Sequence, residues 1–168
     1  MRSSALLLTM ALASLAGQAA ALPDSPAGLW QTISDTDGKP RALVEIRERD
    51  GVLSGRIVGT LRSGESLDRT CDVCPGERRG QKLLGMTILS GLRRQGEAGE
   101  AVWTGGEILD PDNGRTYRVN LTLEDGGRVL RVRGYIGVAL LGRTQRWLRA
   151  PIGAAGAIDP ESKAGGQP

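Results

Sequence analysis

The amino-acid sequence predicts an all-β protein, a small antiparallel meander barrel with eight strands. Three observations lead to this prediction. Eight short β-like runs follow Gly28, and Gly, Asp and Asn turn signals separate most of them. Two of the runs alternate apolar and polar residues with a period of two. Eight strands within about 120 residues are close to what closes a small barrel, and a two-sheet sandwich is the alternative that the same strand count allows.

The predicted strands are short and follow one another closely. They span residues 28–33, 42–49, 52–60, 82–92, 101–109, 115–124, 128–136 and 142–149. The second and third meet at Asp50-Gly51, a dipeptide typical of a two-residue hairpin turn. The sixth and seventh carry the clearest alternation, at residues 117–123 and 130–136. Such alternation places one face of a strand against a core and the other in water.

The first residues have the order of a secretory signal peptide. Arg2 precedes an almost wholly apolar run at residues 5–16, and the small residues Ala19 and Ala21 follow. We therefore predict a signal peptide at residues 1–21 that is cleaved after Ala21, with an uncleaved anchor helix as the alternative. The apolar run is too short to span a bilayer.

The rest of the chain predicts one β-barrel domain and a short tail. The domain is expected at residues 22–150 and a flexible C-terminal tail at residues 151–168, where Gly, Ala and Pro predominate. After the leader, no segment is apolar for long enough to cross a membrane. We therefore expect a soluble protein in the periplasm or outside the cell.

The composition excludes several classes of function. The sequence contains no His, so Ser-His-Asp and Cys-His catalysis and His-based metal sites are excluded. The formal net charge is only +3 and the charges are interspersed, which gives no case for a nucleic-acid partner. We predict no catalytic residues, no metal and no cofactor, and the sequence favours a protein that is not an enzyme.

The only two cysteines, Cys71 and Cys74, lie in a polar stretch at residues 61–81. This stretch is too long for a simple connection, and a lid over one barrel mouth is a reasonable hypothesis for it. In an oxidising compartment the pair is expected to form a local disulfide that braces the stretch. The alternative is a redox-active pair, because C-x-x-C spacing can lower a thiol pKa.

Two further patterns are candidates for binding. Residues 110–114 resemble the start of a calcium loop, but the position that needs a bidentate Glu is Leu121, so a hairpin turn explains them better. Arg118, Arg131 and Arg133 fall on outward positions and form either an anion-binding stripe or a solvated face. The candidate binding side chains are Trp103, Asp110, Asn113, Tyr117, Arg133 and Tyr135.

Several motifs form an ordered set along the chain. They are Gly28-x-Trp30, Asp68-x-x-Cys71-x-x-Cys74-x-Gly76, Gly105-Gly106-x-Ile108-Leu109-Asp110-Pro111-x-Asn113-Gly114-x-x-Tyr117, Arg133-Gly134-Tyr135-Ile136-Gly137 and Gly142-Arg143-Thr144-Gln145-x-Trp147. The set resembles the exported bacterial family catalogued as domain of unknown function 2147. That resemblance implies a lipocalin-like barrel of unknown function.

The Gly28-x-Trp30 pair is also similar to the first-strand signature of lipocalins, in which a Trp closes one barrel end against an Arg of the last strand. Arg143 and Arg146 are the candidates for this barrel-closing role, together with Arg149. A guanidinium over an indole face gains about 0.5 to 2 kcal/mol. The alternative is that Trp30 is simply a core residue of the first strand.

Three hypotheses of function remain open. The first is a binding module for a small apolar or amphipathic ligand or for an envelope partner, which predicts a cavity with apolar walls and few polar groups. The second is a thiol-disulfide redox protein that acts through Cys71 and Cys74. The third is a purely structural envelope protein without a ligand.

Overall fold

The computed structural model describes residues 24–66, 68–96 and 101–151, and within them eight antiparallel strands form a closed barrel. The strands are β1 (Gly28–Ile33), β2 (Pro40–Arg49), β3 (Val52–Thr60), β4 (Thr87–Gln95), β5 (Val102–Asp110), β6 (Arg115–Glu124), β7 (Val129–Tyr135) and β8 (Arg143–Arg149). The predicted signal peptide, and the predicted tail beyond Pro151, lie outside the described residues. No helix of the described residues is long and apolar enough to cross a membrane.

The barrel closes between its first and last strands. Each strand pairs with the next along the chain, and β1 also pairs with β8 through Trp30 opposite Arg149 and Gln31 opposite Leu148. Closure gives backbone groups of β1 and β8 a hydrogen-bonding partner and removes the exposed edges of the sheet. The prediction of an all-β eight-stranded meander barrel is confirmed, and the sandwich alternative is wrong.

The β2–β3 hairpin shows why the sequence predicts these strands so closely. Asp50 and Gly51 have φ values of 53° and 71°. Positive φ at both central residues matches the right-handed twist of the flanking strands, and Asp-Gly is a common solution. The strand bounds at β1, β3 and β6 agree with the prediction.

The fourth strand begins later than predicted. It starts at Thr87 rather than at Lys82, because the residues before Thr87 form an irregular connection. Leu83 N donates to Arg69 O at 2.7 Å within the preceding loop, and Thr70 forms an isolated bridge with Lys82. Gly85 and Met86 hydrogen-bond to Ile57 of β3, and Met86 is buried in the core. A local pattern of apolar residues cannot distinguish such a connection from a regular strand.

The two ends of the barrel differ. We call the end with the Asp50-Gly51 turn and residues 125–128 the closed end, because large side chains fill the lumen there. The buried residues in this half include Trp30, Leu53, Leu92, Trp103, Leu121 and Leu130. We call the other the open end. It carries the connections 34–39, 61–86, 111–114 and 136–142.

Candidate ligand-binding cavity

A cavity of about 510 Å³ occupies the open half of the barrel. Its walls come from positions on all eight strands, since alternation along each strand sends every second side chain into the lumen. The apolar side chains that line it include Val44, Ile57, Ile88, Ile108, Val132 and Trp147. Closely packed residues of the closed end form the floor, so the cavity opens only toward the loops of the open end.

Polar side chains are concentrated at the mouth of the cavity. Three ion pairs lie there among the described residues: Arg41 with Asp112, Arg69 with Glu65, and Arg143 with Asp35. Each pair joins two segments of the rim or braces one of them, and each cation has an acidic partner. With Asp110, a fourth carboxylate of the lining, the rim is polar and has no excess of positive charge.

The Arg41–Asp112 pair fastens β2 to the β5–β6 turn. The guanidinium of Arg41 lowers the pKa of the Asp112 carboxyl, and the carboxylate in turn raises the pKa of Arg41. Both effects arise first from the hydrogen bond between them, while partial burial opposes the charge of each group. Both side chains remain partly exposed, so solvent screens the pair.

A hydrogen-bonded chain connects the apolar wall to the rim. Trp147 Nε1 donates to Gln145 Oε1 at 3.2 Å, and Gln145 Nε2 donates to Asp35 Oδ2 at 2.6 Å. Asp35 also pairs with Arg143. The indole N–H of the buried Trp147 thus has its partner, and the cavity gains one fixed polar group beside its apolar wall.

The loop at residues 61–86, which we call the disulfide loop, covers one side of the mouth. Cys71 and Cys74 form a disulfide with a Cα–Cα distance of 5.4 Å. Glu65, Arg69 and Leu83 of this loop contribute to the cavity lining. The described residues of the loop are held by the Thr70–Lys82 bridge and by contacts with the β5–β6 turn.

The contact between the disulfide loop and the β5–β6 turn is close. Gly114 has a φ of 70°, and a Cβ atom built on it would lie 2.0 Å from Val73 O. The Sγ atom of Cys71 lies 3.5 Å from Pro111 O. Glycine at position 114 is required twice, once by the turn and once by the loop packed against it.

Both cysteines are buried, with exposed fractions of 1% for Cys71 and 0% for Cys74. Thiol-disulfide exchange requires a thiolate to reach a sulfur atom, so this burial protects the bond in the folded protein. The geometry favours a brace over a redox-active pair.

In the β5–β6 turn, the carboxylate of Asp110 accepts hydrogen bonds from neighbouring residues of the turn. Asp110 accepts from the Asp112 backbone N at 3.0 Å and from Asn113 Nδ2 at 2.9 Å. The other amide proton of Asn113 is directed to Tyr117 Oη at 3.1 Å. In the described part of the chain no group of three or more acidic, Cys or His side chains is placed to bind a metal ion. Within the Asn113-Gly114 pair of this turn, Gly114 has a positive φ and Asn113 does not.

The structure brings together only part of the predicted binding set. Asp110, Tyr117 and Tyr135 line the cavity. Asn113 lies behind them and supports Asp110 and Tyr117 through its side-chain amide.

Two residues of the predicted binding set, Trp103 and Arg133, do not line the cavity. Trp103 is 2% exposed in the closed half, with the guanidinium carbon of Arg94 5.8 Å from its ring. Arg133 lies on the outer side of the barrel, where it donates to the backbone of residues 139 and 140. The outward position of Arg133 agrees with its place in the predicted outward-facing arginine stripe. The barrel end at which Trp103 lies depends on strand register, which the sequence leaves open.

The barrel-closing arginine is Arg149, and the candidates Arg143 and Arg146 lie elsewhere. The guanidinium carbon of Arg149 is 4.2 Å from the centre of the Trp30 ring. Arg143 pairs with Asp35 at the open end, and the side chain of Arg146 points outward to Glu124. The direct pairing of Trp30 with Arg149 across β1 and β8 decides which arginine can reach the indole.

Sequence reasoning missed most of the rim. Arg41 and Glu65 contribute to the mouth together with their partners, but they occur at positions without any distinguishing pattern. Ion pairs between residues 71 positions apart, such as Arg41 and Asp112, arise only from the closed topology.

Comparison with known proteins identifies the family. Residues 28–149 match a family described as uncharacterized protein conserved in bacteria, DUF2147. This chain belongs to the DUF2147 family. The match covers all eight strands of the barrel, so the expected family membership is confirmed. No curated protein matches the chain.

A solved structure shares the fold of this DUF2147 chain. The protein HP1028 from Helicobacter pylori, described as belonging to the lipocalin family, superposes with a TM-score of 0.63. Its sequence identity is 22%, and the match covers 75% of this chain and 83% of that protein. The DUF2147 barrel is therefore lipocalin-like in fold.

Proposed function

We propose that this DUF2147 protein is a binding module that holds one small amphipathic molecule in the open half of its barrel. The observation that supports the proposal is the cavity itself, with mainly apolar walls on the strands and its charged groups at the mouth. A barrel with a purely structural role has no need of such a lumen, because side chains can fill an eight-stranded barrel completely.

The volume of about 510 Å³ lies in the range of small-molecule sites, which is roughly 300 to 1,000 Å³. The apolar body of the ligand is expected to lie against Ile57, Ile108 and Val132. Burial of apolar ligand surface there is favourable at roughly 25 cal/mol per Å² removed from water.

The charges at the rim suggest which kind of polar head group the ligand carries. Because each of the three rim arginines is already paired with a carboxylate, the mouth offers no excess of positive charge to a simple anion. An uncharged or zwitterionic head group meets such a rim without leaving a charge unbalanced. We therefore expect these head groups to be preferred over a carboxylate.

We further propose that the protein works in the periplasm or outside the cell. The signal-peptide pattern of residues 1–21 supports this location. A buried disulfide between Cys71 and Cys74 also supports it, since such bonds persist mainly in oxidising compartments.

Calorimetric titration with amphiphiles of one tail and different heads tests the proposal. The probes are decylphosphocholine, decyl maltoside and decanoate, each used below its micellar concentration. We expect binding of the first two, with decanoate weaker. Failure of all three to bind would contradict the proposal.

A variant that fills the lumen tests whether the ligand binds in the cavity. Ala42 lines the cavity, so Ala42→Trp should reduce affinity at least tenfold by occupying the space of the ligand tail. Thr116→Trp adds the same side chain at an exposed position of β6 and should bind like the unmodified chain. Circular dichroism checks that both variants keep their β-sheet content.

A further inference from the structure

The connection between β7 and β8 carries a group of exposed apolar side chains. We call residues 136–141 the apolar loop. Ile136, Val138, Leu140 and Leu141 are exposed to 66%, 60%, 85% and 82%. Single exposed apolar residues are ordinary on protein surfaces, but four within six positions of one loop form a patch that usually marks an interaction site.

The apolar loop is held in place. Its last residues form a short 3-10 turn, Ala139–Leu141. Arg133 donates from Nε to Ala139 O at 2.7 Å, from Nη2 to Leu140 O at 2.8 Å and from Nη1 to Thr144 Oγ1 at 2.7 Å. The guanidinium therefore fixes the loop backbone, and the apolar side chains are presented to solvent from a supported frame.

The segment of the chain that contains this loop has basic residues and no acidic ones. No Asp or Glu occurs between residues 126 and 158, a stretch that includes β7, the apolar loop and β8. The arginines of the stretch are Arg128, Arg131, Arg133, Arg143, Arg146 and Arg149. The outer face of β7 and β8 presents Arg131 and Arg146 with Glu124 of β6 between them.

We propose that the apolar loop docks this protein onto an anionic lipid bilayer. Apolar side chains enter the boundary between head groups and acyl chains, while Arg118 and Arg133 on the outer face beside the loop remain at the level of the lipid phosphates. A protruding loop suits a soft bilayer better than a rigid protein partner, because a stable protein interface needs roughly 800 Å² on each side. Four side chains on one loop do not supply that area.

Docking at this loop also orients the cavity. Ile136 and Leu141 of the loop line the mouth, so a docked molecule has its opening beside the bilayer. The proposal goes beyond ligand binding and does not depend on it, because Val138 and Leu140 do not line the cavity.

Vesicle co-sedimentation of residues 22–168 tests the docking surface. This chain keeps every strand of the closed barrel and lacks the apolar run at residues 5–16, which would bind lipid by itself. Vesicles of phosphatidylcholine with phosphatidylglycerol are compared with vesicles of phosphatidylcholine alone. The double variant Val138→Ser/Leu140→Ser removes apolar loop surface, and Leu148→Ser removes an apolar side chain that is 43% exposed on β8 near the closed end.

The unmodified chain is expected to bind the mixed vesicles and to lose affinity as salt is added. The double variant should lose at least about tenfold in affinity, while Leu148→Ser should bind normally. As a second measurement, Leu140→Trp should show a blue shift of its emission on mixed vesicles. Absence of vesicle binding, equal binding by the double variant, or self-association that the double variant abolishes without vesicle binding would each overturn the proposal.

Discussion

Arg149 lies over the ring of Trp30, with its guanidinium carbon 4.2 Å from the ring centre. The same guanidinium donates to the backbone oxygens of Gly127 at 2.6 Å, Ala27 at 3.0 Å and Ser25 at 3.1 Å. Burial lowers its pKa, yet the group stays protonated because the ordinary arginine pKa is far above neutrality. One side chain thus joins the N-terminal segment, the β6–β7 turn and the barrel seam.

Replacing Arg149 with Ala should therefore destabilise the barrel. We expect a loss of about 2–4 kcal/mol, because three carbonyl oxygens and the indole face lose one shared partner. Arg149→Lys should recover little, since an ammonium lacks the planar set of donors. Urea denaturation measures the free energy of unfolding.

The matched control is Arg146→Ala on the same strand. Its exposed side chain contacts Glu124, so the expected loss is below about 1 kcal/mol. Equal effects of the substitutions at positions 146 and 149 would contradict the closing role of Arg149.

A substitution at Gly114 should disturb the disulfide loop. Gly114→Ala places a methyl group where Val73 O now lies and also strains a positive φ, so we expect a loss of about 2–4 kcal/mol. Gly38→Ala is the control, because Gly38 has a φ of 68° and no heavy atom within 4 Å of the added Cβ. That control should cost only the backbone strain, about 1–2 kcal/mol. Indistinguishable melting temperatures for the two variants would refute the close packing at position 114.

The disulfide should resist reduction until the protein unfolds. Both cysteines are buried, so dithiothreitol followed by an alkylating reagent should leave the folded chain unmodified and label both residues in denaturant. Intact mass spectrometry counts the labels. Rapid labelling of the folded chain would instead support the redox hypothesis. Loss of the bond in Cys71→Ser/Cys74→Ser should reduce stability by about 2 kcal/mol, the chain-entropy value for so short a loop.

The Arg41–Asp112 pair should make a small, pH-dependent contribution to stability. Because Arg41 lowers the pKa of Asp112 in the folded state, the contribution is present above the ordinary value of 3.8 and disappears as the pH falls through the lower folded-state pKa. Since both groups are partly exposed, we expect about 0.5–1 kcal/mol at neutral pH. Urea denaturation of Asp112→Asn and the unmodified chain should differ at neutral pH and converge in acid. A difference in the free energy of unfolding that grows as the pH falls would contradict this account of the pair.

The sequence predicts the strands because their signals are local. The positive-φ turn at Asp50-Gly51 and the alternation in β6 and β7 each act over a few residues, and each reappears in the structure. The same local reasoning fails at residues 82–86, which contribute apolar side chains to the core but form an irregular connection instead of a strand.

The site is less predictable from the sequence, because its residues come together only when the barrel closes. The sequence suggests three arginines for Trp30, and only the β1–β8 register selects Arg149. It assigns Trp103 to binding, although β5 enters the barrel at the closed end and buries that ring. Two of the three rim ion pairs, Arg41–Asp112 and Arg143–Asp35, join residues far apart in the chain, so no local motif predicts them.

Native mass spectrometry of residues 22–168, purified gently from the native host, tests ligand binding most directly. We expect the polypeptide mass plus one small molecule, and the bare polypeptide mass for Ala42→Trp purified in the same way. An empty unmodified chain, or the same added mass on both proteins, would contradict a ligand held in the open half of the barrel.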